Sequence, residues 1–138
     1  MRAEAKAVIA ALIAGGLVSS SAVADVTITL PPKGCALQLI SGKIVPPPST
    51  PGKRVWVVIN PLETPGNYWP QDPLTANSKG DWQGYVHIGE KGKHVGLQFQ
   101  LRAFVDPDPI PTPGRVMTDW PSSAAMSSDL VQVVRGDC

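Results

Sequence analysis

Only a small set of residues in this chain has the type and spacing to do chemistry. The two histidines are His87 and His94. A nucleophilic triad would have to use one of them, yet the chain contains neither a GxSxG elbow nor an HExxH pair. His87 falls on the polar side of an alternating run and His94 follows Lys91-Gly-Lys93, so both are expected in solvent. Two histidines without paired cysteines fall short of the clustered donors a metal needs. Glu63, Asp72, Asp81 and Glu90 are the acids from which a glycosidase pair would be drawn, since sugar hydrolysis needs two carboxylates at a fixed separation. All four sit in or beside turns, where acids solvate loops and bond local backbone. Gly89-Glu-Lys-Gly-Lys93 is basic and glycine-containing but opens no helix, so it reads as a hairpin turn. The expectation is a protein that is not an enzyme, with no catalytic residue, no metal and no cofactor.

Binding chemistry is better represented. Exposed aromatic rings stack on sugar faces or anchor a protein partner, and Tyr68, Trp69, Trp82 and Trp120 are the candidates. Strand alternation assigns Trp82, and with it Trp56, to packing. Tyr68-Trp69-Pro70-Gln71 instead lies in a proline-rich, irregular stretch. Binding groups are disproportionately carried on loops over a rigid scaffold, which makes Tyr68, Trp69 and Gln71 the expected binding residues. The alternative is that Tyr68 and Trp69 fold inward and close one end of the domain. Arg135-Gly136-Asp137 spells an adhesion tripeptide beside a terminal cysteine; an adhesive loop must protrude, and the match is read as coincidence.

The elements that carry these residues are short strands. Asp25–Leu30 alternates, with Val26, Ile28 and Leu30 on one side. Cys35–Val45 is a second apolar run, and Gly42 inside it marks a bulge or a close backbone approach. Arg54–Asn60 is apolar on both faces and should be central. Asp81–Ile88 points Trp82, Gly84, Val86 and Ile88 one way; Val95–Val105 points Leu97, Phe99, Leu101, Ala103 and Val105 inward. Leu130–Arg135 is the last strand. Pro46–Gly52, Pro61–Thr75 and Asp106–Gly114 are proline-rich connections that cannot fill a central ladder. A short helical turn is expected within Pro121–Ser128. Six to seven strands, the later ones with one apolar and one polar face, predict a single all-β domain, an Ig-like or fibronectin-type antiparallel β-sandwich.

Composition agrees with that class. The chain has 138 residues, 15 of them proline and 13 glycine, which suits short strands joined by tight turns. Residues 1–24 read as a cleaved export signal: Arg2 and Lys6, then the apolar Ala7–Val18, then Ala22-Val23-Ala24 before Asp25. The apolar run is shorter than the roughly 20 residues a membrane-spanning helix needs, so no transmembrane segment is expected in the mature chain. Removing that segment leaves residues 25–138 with ten basic and ten acidic side chains. A neutral domain lacks the Lys/Arg excess that nucleic acid binding requires. Export to the periplasm or beyond places Cys35 and Cys138 in an oxidising compartment, where two cysteines read as one disulfide.

Several of these segments occur in a recognisable order: Gly42-Lys-Ile-Val45, Val55-Trp-Val-Val-Ile-Asn-Pro61, Tyr68-Trp-Pro-Gln71, Gly80-Asp-Trp82, Ile88-Gly89 and Gly96-Leu-Gln-Phe99. Over residues 38–105 the chain resembles a group of bacterial secreted or surface Ig-like β-sandwich modules of unassigned activity. Those modules carry a VWVVV-P strand, a YYPQ corner and a G-W strand start. Trp69 stands where the second tyrosine usually sits, and the segment after Val105 departs from the pattern. The resemblance implies the fold and an export habit and brings no catalytic residues. The expected function is a non-enzymatic module that binds a protein or glycan partner at the cell envelope. A small periplasmic inhibitor or immunity protein and a glycan-binding module are the rival readings.

Overall fold

Hydrophobic alternation becomes two facing sheets in the computed structural model, which describes residues 24–50 and 52–138. The expected signal segment lies, apart from Ala24, outside the described residues. Ten strands follow in order: β1 (Asp25–Thr29), β2 (Lys33–Gly34), β3 (Leu37–Val45), β4 (Arg54–Pro61), β5 (Trp69–Pro70), β6 (Leu74–Thr75), β7 (Asp81–His87), β8 (Gln98–Val105), β9 (Met126–Ser127) and β10 (Val131–Arg135). One sheet has the order β1-β3-β7. The other runs β2-β10-β8-β4-β5, with β6 pairing β4 and β9 pairing β8. All pairings are antiparallel except β2 with β10. The result is an all-β sandwich whose six strands of five residues or more are the six that alternation predicts.

The core lies between the sheets. Val26, Ile40, Ile44, Trp82 and Val86 from the smaller sheet meet Val55, Val57, Ile59, Leu101, Ala103, Val105 and Val133 from the larger. β4 is central, as its two apolar faces require: its inner face joins this core, and Trp56 and Val58 belong to its outer face. Phe104, across from Trp56, lies 6.1 Å from the Trp120 ring. Arg102 stacks on both Phe104 and Trp120, at 5.2 and 5.5 Å. Trp56 is therefore half-buried on the outer face of the larger sheet rather than in the inner core.

Gly42 faces Trp82 across β3 and β7. A Cβ at Gly42 would fall 1.9 Å from the Thr27 carbonyl oxygen and 2.2 Å from the Trp82 ring. The glycine is thus the seat of the indole, a close approach rather than a bulge. Cys35 and Cys138 form the disulfide, with Cα atoms 5.2 Å apart across 103 positions of sequence. It fastens the residue after β2 to the chain end after β10, the strand that β2 pairs.

Pro61–Thr75, expected to be irregular, holds the short strands β5 and β6, both paired to β4. Two further expectations change. Pro121–Ser128 holds no helical turn; Met126–Ser127 is strand β9. The edge of β8 beyond β10 is open, and β9 fills it by pairing Phe104 with Ser127 and Val105 with Met126. Ser128 bridges the interruption before β10: its Oγ accepts the Ala103 N–H at 2.8 Å while its own N–H donates to the Ala103 carbonyl at 2.8 Å. The second change is that β8 begins at Gln98 rather than Val95. His94 and Gly96 have φ of 65° and 84°, a left-handed turn that no strand accommodates.

Candidate functional site

One end of the sandwich is filled and the other is not. At the end where β4 and β7 finish and β8 begins, a cavity of about 420 Å³ opens between the sheets. Its floor is Ile59, Leu97 and Phe99, and Trp69 forms a wall. Its rim carries Glu63, Thr64, Asn67, His87, Glu90 and His94. Trp69 pairs with Ile59 across β5 and β4, so its side chain projects to the inner side of the sheet, where it retains 37 % of its exposure.

Each rim segment is held by a buried or engaged side chain. Asn60, nearly fully buried, donates from Nδ2 to the carbonyls of Pro65 at 3.1 Å and Asn67 at 2.8 Å, which fixes the loop carrying Glu63 and Thr64. Gln71 accepts the His87 N–H at 2.8 Å and donates to the Trp69 carbonyl at 3.3 Å, joining the two sheets beside the cavity. Arg135 is 1 % exposed and holds the third segment. Its Nη1 donates to the carbonyls of Ile88 at 2.8 Å and Glu90 at 2.9 Å, and Nε donates to Gly136 at 3.0 Å. The backbone of Arg135 also exchanges hydrogen bonds with Gly96 and Leu97. No carboxylate pairs with its guanidinium among the described residues; three carbonyl oxygens take its hydrogen bonds instead.

His94 is set by the same loop. Its Nδ1 accepts the Glu90 N–H at 3.1 Å, which in the neutral ring leaves the proton on Nε2. Its ring meets Phe99 edge-on, with centroids 6.4 Å apart. Gly89, at φ 72°, has room for no side chain: a Cβ would meet His94 Nδ1 at 2.9 Å and Arg135 Nη1 at 3.2 Å.

The three residues expected to bind together are divided. Trp69 and Gln71 are at the cavity, with Gln71 committed to the hydrogen bonds that build it. Tyr68 is on the other side of the sheet, its ring 4.8 Å from Trp120 and its backbone bridged to Met117. Adjacent residues of an extended chain project to opposite faces, and β5 makes this segment extended. Reading it as an irregular loop conceals that alternation. Taken singly, the histidines and acids at the rim read as solvent-facing; His94 is instead half-buried against Phe99, and the convergence follows from the loops after β4 and β7 meeting at one end. The adhesion tripeptide loses its arginine to the interior, since Arg135 is buried. Both cysteines are in the disulfide, so neither supplies a thiol nucleophile. No group of three or more potential metal-ligating residues clusters among the described residues, and no helix there is long and apolar enough to cross a membrane.

No protein-family model, no curated protein and no solved structure matches the chain.

Proposed function

We propose that this protein is a non-enzymatic, exported β-sandwich module that binds a macromolecular partner at the cell envelope through the open end of the sandwich. The observation that carries this reading is Trp69. It is a large apolar ring left 37 % exposed in the wall of a cavity whose rim is held by Asn60, Gln71 and Arg135. Clefts of this size with an apolar lining and a few convergent polar groups are where proteins bind ligands. A rim fixed by buried hydrogen bonds favours binding because little freedom is lost when the partner arrives.

Export to the periplasm or medium belongs to this reading. Its support is the tripartite pattern of residues 1–24 together with a disulfide, a bond characteristic of oxidising compartments. The sandwich is of immunoglobulin-like type on this reading. In support, β1-β3-β7 and β10-β8-β4 follow the chain order of the two sheets in that fold, and the opening segment pairs with both sheets.

Site-directed photocrosslinking in intact cells tests the function. A photoreactive residue at Thr64, on the rim, is expected to capture an envelope component. The same residue at Ser78, in the turn before β7 at the opposite end, is expected to capture none, and Trp69→Ala should abolish the Thr64 adduct. Equal adducts at both positions, or none at Thr64, would refute the reading. A hydrolase as the captured partner would turn it into an inhibitor.

A further inference from the structure

We infer that the open end takes a neutral saccharide, with one apolar sugar face stacked on Trp69 and the hydroxyls held by the rim; this rests on the binding function proposed above. The argument begins with the hydrogen-bonding groups left free once the scaffold is satisfied. Gln71 has both ends of its amide engaged, and Gln98 has its carbonyl oxygen taken by Gln132. Among the described residues, the side chains of Glu63, Thr64 and Asn67 have no hydrogen-bond partner, and His94 has its Nε2 free. These groups comprise carboxylate acceptors, a ring N–H donor, a hydroxyl and an amide. A hydroxyl is at once donor and acceptor, so a polyol can satisfy such a mixed set. An aliphatic side chain of a protein partner would bury these polar groups without satisfying them, at the cost of their desolvation.

Charge narrows the choice. Glu90 is offset by Lys93 at 3.3 Å, which leaves Glu63 to oppose an anion at the rim and the Arg135 guanidinium behind Gly89, which no carboxylate pairs among the described residues, to oppose a cation. An uncharged ring avoids both repulsions. It also matches the exposed indole, since an aromatic face favours a flat apolar surface with polar groups at its edge. A cavity of about 420 Å³ admits the end of a chain rather than its whole length.

The test titrates the isotope-labelled mature protein with chitotetraose, cellotetraose, maltotetraose and mannotetraose, followed by amide and indole NMR. Glucosamine and galacturonic acid tetramers serve as the cationic and anionic comparisons. At least one neutral tetramer is expected to give saturable shifts at the Trp69 indole and the Gly89 amide, at concentrations up to about 10 mM. Both charged tetramers should bind about tenfold more weakly or worse. Trp69→Ala should lose about tenfold or more in affinity while its amide spectrum remains that of the folded domain. Glu63→Gln, which keeps the size and one acceptor, should weaken binding severalfold and provides a second variant. The inference is overturned if no neutral tetramer shifts these signals, or if a charged tetramer binds best. In either case a Thr64 adduct that persists leaves the binding surface standing with a different ligand. Loss of both the shifts and the adduct removes the binding surface as well.

Discussion

The two ends of the sandwich solve the same problem in opposite ways. Where β7 begins, the space between the sheets is filled by a side chain. Trp82 is 2 % exposed and lies against Gly42, whose missing Cβ makes the room. Among the described residues the indole N–H there has no hydrogen-bond partner, so packing outweighs an unsatisfied donor. Where β7 ends, the space is left open and the surrounding segments are fastened from outside. Asn60, Gln71 and Arg135 bind backbone groups of the rim, and the disulfide ties the neighbouring chain end. One tryptophan closes its end and the other lines a cleft. The lesson is that the second end has rigidity without filling, which suits a site that receives something.

Substitutions measure this contrast. Trp82→Ala is expected to have the largest effect, a loss of about 3 to 5 kcal/mol of stability in denaturant melts, because it removes a buried indole from a closed layer. A loss below 1 kcal/mol would mean that this end is not closed by packing. Paired Cys35→Ser and Cys138→Ser substitutions should cost about 2 to 5 kcal/mol, as removal of a native disulfide does in small exported domains. Peptide mapping under non-reducing conditions should recover the Cys35–Cys138 link from the wild-type protein.

Arg135→Leu should destabilise by about 2 to 3 kcal/mol, since it leaves several carbonyl oxygens without their donor. Its distinguishing mark is local: hydrogen exchange should accelerate at Gly96 and Leu97 far more than at Val86. Uniform acceleration would show that Arg135 serves the whole core and not the open end. Smallest of all, Trp69→Ala should cost about 1 to 2 kcal/mol of stability, because over a third of the residue is already in water. A loss of 3 kcal/mol or more in the same melt would make Trp69 a plug like Trp82 and erase the difference between the ends.

Much of this was legible in the residues themselves. Period-two alternation in Asp81–His87 identifies the strand and its buried side, because a strand with one face in water repeats apolar and polar positions. The same logic makes β4 central, since both of its faces are apolar. Gly42 was readable as a point of close approach, but its partner was not, because the register that sets Trp82 opposite it joins segments about 40 positions apart. β9 was hidden for a related reason: two residues have too short a period to detect, and they are strand only because β8 offers them an open edge.

What the sequence determines alone is therefore local: which of the longer segments are strands, which side of each faces inward, where most turns fall, and that only one pair of cysteines is available to join. These follow from backbone conformation and the periodicity of burial, which depend on near neighbours. The site belongs to the tertiary structure. Tyr68 and Trp69 are adjacent in the chain but lie on opposite faces, because pairing with β4 extends the backbone between them. Trp69, Glu63, His87 and His94 are scattered in sequence and meet around one cavity because the loops of both sheets end together. Arg135 is readable as the end of the last strand, but its burial and its hold on the Ile88 and Glu90 carbonyls exist only in the packed fold. Sequence pattern records burial along one strand at a time, whereas a cleft is made by the distance between strands, and only the packed sheets fix that distance.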